Sequence, residues 1–416
     1  MLSMKMKLAG FGIALGASLA LAGCGSGYDN NSTYTFTPFA INFALVAADF
    51  NGDGLTDVLD GRTLHQPTSP NESGSLNMHL HNAGAGTGFG MPTATAAGIE
   101  PLYLASADIN GDGLRDVVAA SFDDGELLVY LNQLATPGTF AAPVHLMSAG
   151  ASQVAIADLN GDGYPDLVSA DYGVSVFLQD PAHPGSFLAP TSLSAGGASW
   201  VVVGDLNNDG LPDLVVTDAT GVKVYFHSAT ANSATFMNPV TVFTQTPNQA
   251  FVAANYVAIA DVNGDGFNDL VITDPGPYGP TPPTVNVLLQ NPAAVGTFLA
   301  PGSYSLPNGH RAQSIVVADL NGDERPDVIV GDDSGVNVLL QNAVSPGTFA
   351  AASYYPTPNG SYQVAVADVN DDGFPDIVTS NSATAPLTNG SYVTQPGVLL
   401  QSATTRGSFT ALQNLP

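Results

Sequence analysis

Seven copies of one acidic pattern, Asp-x-Asn-x-Asp-Gly-x-x-Asp, run through the 416-residue chain and restrict what it can fold into. They begin at Asp49, Asp108, Asp158, Asp205, Asp261, Asp319 and Asp368, so successive copies lie 47 to 59 residues apart. A period of this length belongs to a four-stranded unit that must stack on its neighbours to bury both faces of its sheet. Short apolar stretches flank each copy, such as Val154-Ala155-Ile156-Ala157 before the third and Val328-Ile329-Val330 after the sixth. Their length and β-branched content predict strands, which makes each acidic segment the hairpin between two buried strands.

A third strand is predicted at Val174 to Leu178, Val285 to Leu289 and Val336 to Leu340. A fourth begins at Gly-Thr/Ser-Phe turns ending in Phe140, Phe187, Phe298, Phe349 and Phe409. Four strands in each of seven copies predict an all-β chain, a seven-bladed β-propeller over residues 34–416, with the acidic loop between the first and second strand of every blade. Tyr34 to Phe43 and Ser408 to Leu415 both read as outer strands able to complete the last blade. Pro275 to Pro283 and Ser382 to Pro396 read as the longest irregular insertions, and long loops on a rigid ring are where specificity is usually placed.

Hard oxygen donors recur at positions 1, 3, 5 and 9 of the loop, and the backbone carbonyl of position 7 adds a fifth, a set that suits Ca²⁺. The expected ligands are Asp49, Asn51, Asp53, Leu55 and Asp57; Asp108, Asn110, Asp112, Leu114 and Asp116; Asp158, Asn160, Asp162, Tyr164 and Asp166; and Asp205, Asn207, Asp209, Leu211 and Asp213. The last three copies supply Asp261, Asn263, Asp265, Phe267 and Asp269; Asp319, Asn321, Asp323, Arg325 and Asp327; and Asp368, Asn370, Asp372, Phe374 and Asp376. Residues 55, 114, 164, 211, 267, 325 and 374 enter through their carbonyls. Three carboxylates held together repel one another by about a few kcal/mol per loop, a penalty that a divalent cation removes. An EF-hand needs a bidentate Glu at position 12 and flanking helices. Position 12 here is Asp60, Ala119, Ser169, Val216, Ile272, Val330 or Thr379, between strands. Position 6 is Gly except for Glu324 in the sixth copy, where Arg325 also brings a competing cation, so that site is expected to be the weakest.

On these loops the chain from about Tyr34 onward resembles FG-GAP/VCBS repeat proteins, the unit of the integrin α-subunit propeller and of many bacterial surface proteins. The resemblance implies a calcium-binding propeller with up to seven ions. It leaves the activity open, because the family includes adhesins, lectins and accessory domains of enzymes.

Acidic residues number 36 against 8 Lys plus Arg, for a net charge of −28. Lys5 and Lys7 lie in the N-terminal leader, and Arg62, Arg115, Lys223, Arg311, Arg325 and Arg406 are scattered, so no basic stripe exists for nucleic acid. The leader has the parts of a secretory signal over residues 1–23: basic residues, an apolar run to about Leu21, then small residues. It ends in Leu21-Ala22-Gly23-Cys24, with the only cysteine of the chain, and resembles a bacterial lipobox. That resemblance implies acylation of Cys24 and attachment to the cell envelope, with the outer membrane preferred, while the small, polar residues from Gly25 to Ser32 suit a flexible tether over residues 24–33.

The loops leading into the first strands carry Tyr103, Trp200, Tyr256, His310, Arg311 and Tyr362, near where a central channel would open, on the face away from the acidic loops. Aromatic and Arg residues there suit a glycan or protein ligand. His79 and His81 share a strand face and read as an exposed blade edge, while Asp171, Asp218, Asp274 and Asp332 read as turn caps. No nucleophile or metalloprotease motif appears. The expectation is therefore a calcium-binding adhesion or recognition module, with a propeller enzyme acting on polysaccharide as the alternative.

Overall fold

The computed structural model describes residues 39–65, 73–82, 88–98, 100–193, 196–228, 233–244, 256–274, 282–386 and 392–416. The leader, Cys24, the tether and Tyr34 to Pro38 lie outside them, as does most of Pro275 to Pro283.

Among the described residues twenty-eight strands form seven blades. Blade 1 holds β1 (Phe39–Ala48), β2 (Asp57–His65), β3 (Ser73–His79) and β4 (Thr93–Ala97). Blade 2 holds β5 (Pro101–Ala107), β6 (Asp116–Ser121), β7 (Glu126–Tyr130) and β8 (Val144–Met147). Blade 3 holds β9 (Gln153–Ala157), β10 (Asp166–Ala170), β11 (Val174–Phe177) and β12 (Thr191–Leu193), and blade 4 holds β13 (Ala198–Gly204), β14 (Asp213–Asp218), β15 (Gly221–Tyr225) and β16 (Val240–Thr244). Blade 5 holds β17 (Val257–Ala260), β18 (Asp269–Asp274), β19 (Thr284–Leu288) and β20 (Gly302–Ser305). Blade 6 holds β21 (Ala312–Ala318), β22 (Asp327–Asp332), β23 (Gly335–Leu339) and β24 (Ser353–Pro356). Blade 7 holds β25 (Val364–Ala367), β26 (Asp376–Pro386), β27 (Tyr392–Leu399) and β28 (Gln413–Asn414). One 3₁₀ turn, Pro307–Gly309, is the only helix among the described residues.

Within each blade the strands pair antiparallel in chain order. The first strands contact each other around the ring, from β1 with β5 onward to β25 with β1, and enclose the central axis. Second strands are buried on both faces, so their alternate residues serve different neighbours: Val117 and Ala119 pack toward blade 1, Val118 and Ala120 toward blade 3. Seven apolar clusters result, one per blade interface. The seventh joins Leu45 and Val58 of blade 1 to Val369, Val378, Val398 and Leu415 of blade 7 and closes the ring.

The ring closes differently from one of the two routes open in the sequence. Phe39 to Phe43 is no outer strand. It is the start of β1, innermost in blade 1, whose pairing with β2 continues past a bulge between Asn42 and Ala44. The C-terminal segment completes blade 7, with β28 pairing β27 at Gly397 and Val398 and Leu415 buried in the seam. The two blades are also stitched directly, because β1 pairs parallel with β27 at Phe39–Tyr392 and Ala40–Val393. Ser382 to Pro396 likewise departs from expectation: Ala383 to Pro386 pair with Tyr392 to Gln395 as an extension of the β26–β27 hairpin.

Candidate metal loops and channel mouth

Each acidic loop is built by its own side chains. In the third copy Asp158 Oδ1 accepts from Gly161 N at 2.8 Å and its Oδ2 from Gly163 N at 2.8 Å. Asn160 Oδ1 accepts from Asp162 N, and Asp162 Oδ1 from Tyr164 N, both at 2.9 Å. The same ladder recurs in the first, second and fifth copies. Such side-chain-to-backbone bonds fold the chain back on itself in place of a regular hairpin turn. Position 4 lies in the left-handed region even where it is Asn208 (φ 55°) or Asp371 (φ 58°), and Glu324 holds φ 64° at position 6.

Position 9 is the buried hub. Asp166 Oδ2 accepts from Leu159 N at 2.9 Å and its Oδ1 from Gln179 N at 2.8 Å, tying the loop to the end of the third strand. All seven position-9 carboxylates make this pair of bonds, with Phe50, Ile109, Leu159, Leu206, Val262, Leu320 and Val369 donating from position 2. The partners from the third strand are His81, Asn132, Gln179, His227, Gln290, Gln341 and Gln401. Burial, reinforced by the neighbouring loop carboxylates and opposed by the amide donors, pushes Asp57, Asp166, Asp213, Asp269, Asp327 and Asp376 up to about 6. Asp116 is raised for the same reasons.

Among the described residues no three acidic or histidine side chains close on a single point. In the first half of the loop the position-3 side chain meets the position-5 carboxylate through its amide nitrogen. There Asn51, Asn110, Asn160 and Asn263 Nδ2 sit 2.9 to 3.0 Å from the Oδ2 of Asp53, Asp112, Asp162 and Asp265. An amide N–H thus supplies positive charge to the position-5 carboxylate. The donor set fits Ca²⁺: it is all oxygen, and the position-9 carboxylate keeps lone pairs beyond the two its amide donors use.

On the opposite face three rings from three blades come together. β-Bulges at Leu102 in β5 and Ser199 in β13 re-aim the side chains that follow them. Tyr103 meets Trp200 edge-on at 5.1 Å, and Trp200 meets Tyr256 at 4.9 Å. The Trp200 indole donates to Val257 O at 3.1 Å, and Tyr256 OH lies 3.4 Å from Gln313 Oε1. Burial raises the phenols of Tyr103 and Tyr256. Trp200 and Tyr256 pack in the core between blades 4 and 5 instead of standing free around the rim, and of the three rings Tyr103 lines a cavity of about 320 Å³ walled also by Ser106, Gln153, Ile156 and Val203.

His310, Arg311 and Tyr362 stand outside this cluster, in the lead-in loops of blades 6 and 7. His310 Nδ1 is 2.8 Å from Asp333 Oδ1, and the backbone N of Asp333 donates to Arg311 O at 3.2 Å. Burial, with the Asp333 charge behind it, raises the Tyr362 phenol.

The FG-GAP-like repeat matches residues 108–169, 158–216, 205–272, 261–330 and 319–379, each span running from one acidic loop through the next. The chain belongs to the FG-GAP-like repeat family. No curated protein matches it in sequence. Among solved structures this FG-GAP-like chain is similar to a lectin from Agrocybe aegerita, described as recognising non-reducing terminal N-acetylglucosamine. Identity is 20%, TM-score 0.51, and the match covers 76% of this chain and 80% of the lectin. A Lactobacillus plantarum protein matches at 13% identity and TM-score 0.51, over 84% of this chain and 93% of that one. At these identities the likeness is one of fold.

Other predicted residues of the FG-GAP-like propeller found different surroundings. His79 and His81 are buried, not on an exposed edge. His79 Nε2 lies 2.6 Å from Asp60, which also accepts from Arg62 and Asn77, whereas His81 stacks on Phe89 with ring centroids 5.1 Å apart. Burial alone would raise Asp60, but the Arg62 guanidinium and His79 outweigh it and hold its carboxyl below the usual range. Asp171, Asp218 and Asp332 cap turns as expected, accepting from Gly173 N, Thr220 N and Ser334 N at 2.7 Å.

Two elements of the FG-GAP-like loop escaped the sequence pattern. Position 2 is apolar and buried in all seven copies. The polar residue after the third strand recurs six residues before the turn glycine, as in Gln179 and Gly185 or Gln401 and Gly407. Its side chain accepts from that glycine N, at 2.8 and 3.2 Å in those two blades. These glycines hold positive φ and seat the turn against the loop of the preceding blade, where Gly185 faces Asn110 and Gly407 faces Asn321.

Proposed function

We propose that this propeller is a calcium-stabilised recognition module of the cell envelope, anchored through Cys24, that binds a glycan or protein on the face opposite its acidic loops. The observation that carries the reading is the division of labour between faces. One face repeats the same donor-rich loop seven times, and the other breaks the repeat: Tyr103, Trp200 and Tyr256 pack together across blades 2, 4 and 5, while His310, Arg311 and Tyr362 stand in the lead-in loops of blades 6 and 7 around Asp333. The exposed His310–Asp333 pair, with Arg311 and Tyr362 in the same lead-in loops, offers hydrogen bonding and stacking to a sugar or a peptide. The lectin among the similar structures agrees with a glycan.

A glycan array probed with and without Ca²⁺ tests this. Binding is expected with calcium, and His310→Ala with Tyr362→Ala is expected to weaken it by about tenfold or more, as for interface anchors. Array binding that ignores both substitutions would move the site elsewhere. A second reading, an enzyme acting on polysaccharide, draws on the His310–Asp333 pair with Tyr362 and Arg311 beside it. Release of new sugar ends from a bound glycan would favour it.

The anchor is tested separately. Lipid labelling of the protein in an expressing bacterium is expected for the natural chain and lost in Cys24→Ser; labelling that survives the substitution would exclude Cys24 as the acylated residue.

A further inference from the structure

The sixth loop carries its own counter-ion. Arg325 Nη1 lies 3.1 Å from Asp323 Oδ2, the oxygen that faces an asparagine amide in the first, second, third and fifth loops. Position 7 elsewhere is apolar: Leu55, Leu114, Tyr164, Leu211, Phe267 or Phe374. A second guanidinium arrives from blade 7. Arg406 occupies the turn position filled by Pro137, Pro184, Val295 and Pro346 in other blades, and it stacks on Phe374 at 4.4 Å. It also presses on Gly322, so that a Cβ there would run into it.

The loop is nonetheless folded like the others. Gly322 N and Glu324 N donate to Asp319 at 2.7 and 2.8 Å, Asp323 N to Asn321 at 2.9 Å, and Leu320 N to Asp327 at 3.0 Å. Its backbone ladder is intact, including the strained φ of 64° at Glu324. What distinguishes it is charge: a fixed cation sits on the position-5 carboxylate, where an incoming divalent ion would have to displace it.

Resting on the calcium reading above, we propose that Arg325, with Arg406 beside it, replaces the metal in the sixth loop, so that the ring binds six calcium ions and keeps one blade junction whose loop is independent of calcium. The junction is that between blades 6 and 7, since Arg406 of blade 7 covers the loop of blade 6.

Native mass spectrometry of the purified protein in millimolar Ca²⁺ counts the ions. Six are expected in the natural chain and seven in Glu324→Gly/Arg325→Leu, which restores the residue types of the other loops. Asp323→Asn should leave the count at six, whereas Asp162→Asn should lower it to five. A count of seven in the natural chain, or a loss of one ion in Asp323→Asn, would overturn the proposal even if the double variant did not fold. A double variant that folds and still binds six would also overturn it. A count of zero in the natural chain would remove the calcium reading itself.

Discussion

Chelation at pH 7.5 is expected to lower the thermal midpoint of the purified protein by roughly 10 °C or more, and at pH 5 by much less. A site held at a hundredfold excess of ligand over its dissociation constant contributes about 2.7 kcal/mol, and the proposed calcium loops would add several such contributions on one ring. The pH dependence follows from the position-9 aspartates, which burial lifts from the ordinary 3.8 to about 6 in six loops. Because the folded value lies above the unfolded one, protons stabilise the metal-free ring. That contribution is complete below about pH 3.8 and is lost as the pH rises through about 6. Calcium favours the ionised carboxylates, so its own contribution is largest above about pH 6. Metal-free protein should therefore gain stability on acidification from pH 7.5 to 5, while calcium-loaded protein should not. Scanning calorimetry with and without chelator at both pH values measures this, and equal chelator effects at the two pH values would contradict it.

Asp166→Ala is expected to destabilise the protein by about 3 kcal/mol or more in the presence of chelator, while Asp162→Ala costs under about 1 kcal/mol there. Asp166 is fully buried and accepts from Leu159 N and Gln179 N, so its removal strands two buried backbone donors. Each orphaned donor costs about 1 to 3 kcal/mol. Asp162 is near the surface and accepts from Tyr164 N and the Asn160 amide, groups that water can serve in its absence. With calcium present both variants are expected to lose the ion proposed for the third loop, so the two substitutions separate a buried carboxylate that holds the blade together from a surface one whose loop bonds water can replace. Chemical denaturation with and without chelator gives both numbers. Equal losses in chelator would mean that position 9 has no structural role beyond the ion.

The blades and their loops were legible because the repeat is written in residue types: carboxylates at fixed offsets, Gly where φ must be positive, and Val, Ile or Leu on either side. The third-strand partners of position 9 were not, because the shared bond comes from a backbone N–H. His81, Asn132 and Gln179 do the same work with unlike side chains. The meeting of Tyr103 with Trp200 depends on one-residue bulges at Leu102 and Ser199, which shift register without leaving a mark in composition. The pairing of Asp60 with His79 needs the β2–β3 register, which places Val58 opposite His79 and Asp60 opposite Asn77. Ser382 to Pro396 misled because its Thr, Ser and Asn content suggests a loop. Its Asn389-Gly390 dipeptide between alternating residues is in fact a hairpin signal.

The placement of β1 also bears on mechanics. The chain enters the ring at Phe39 directly into an innermost strand, held by β2 on one side and, at its start, by the parallel pairing with β27 on the other. Tension applied through the preceding segment is thus taken up as shear across hydrogen bonds at the axis, and not as peeling of an edge strand from the rim. A shear-loaded seam of this kind resists pulling until it yields all at once, so single-molecule extension from the N-terminal side should record one high rupture force in advance of the unravelling of individual blades.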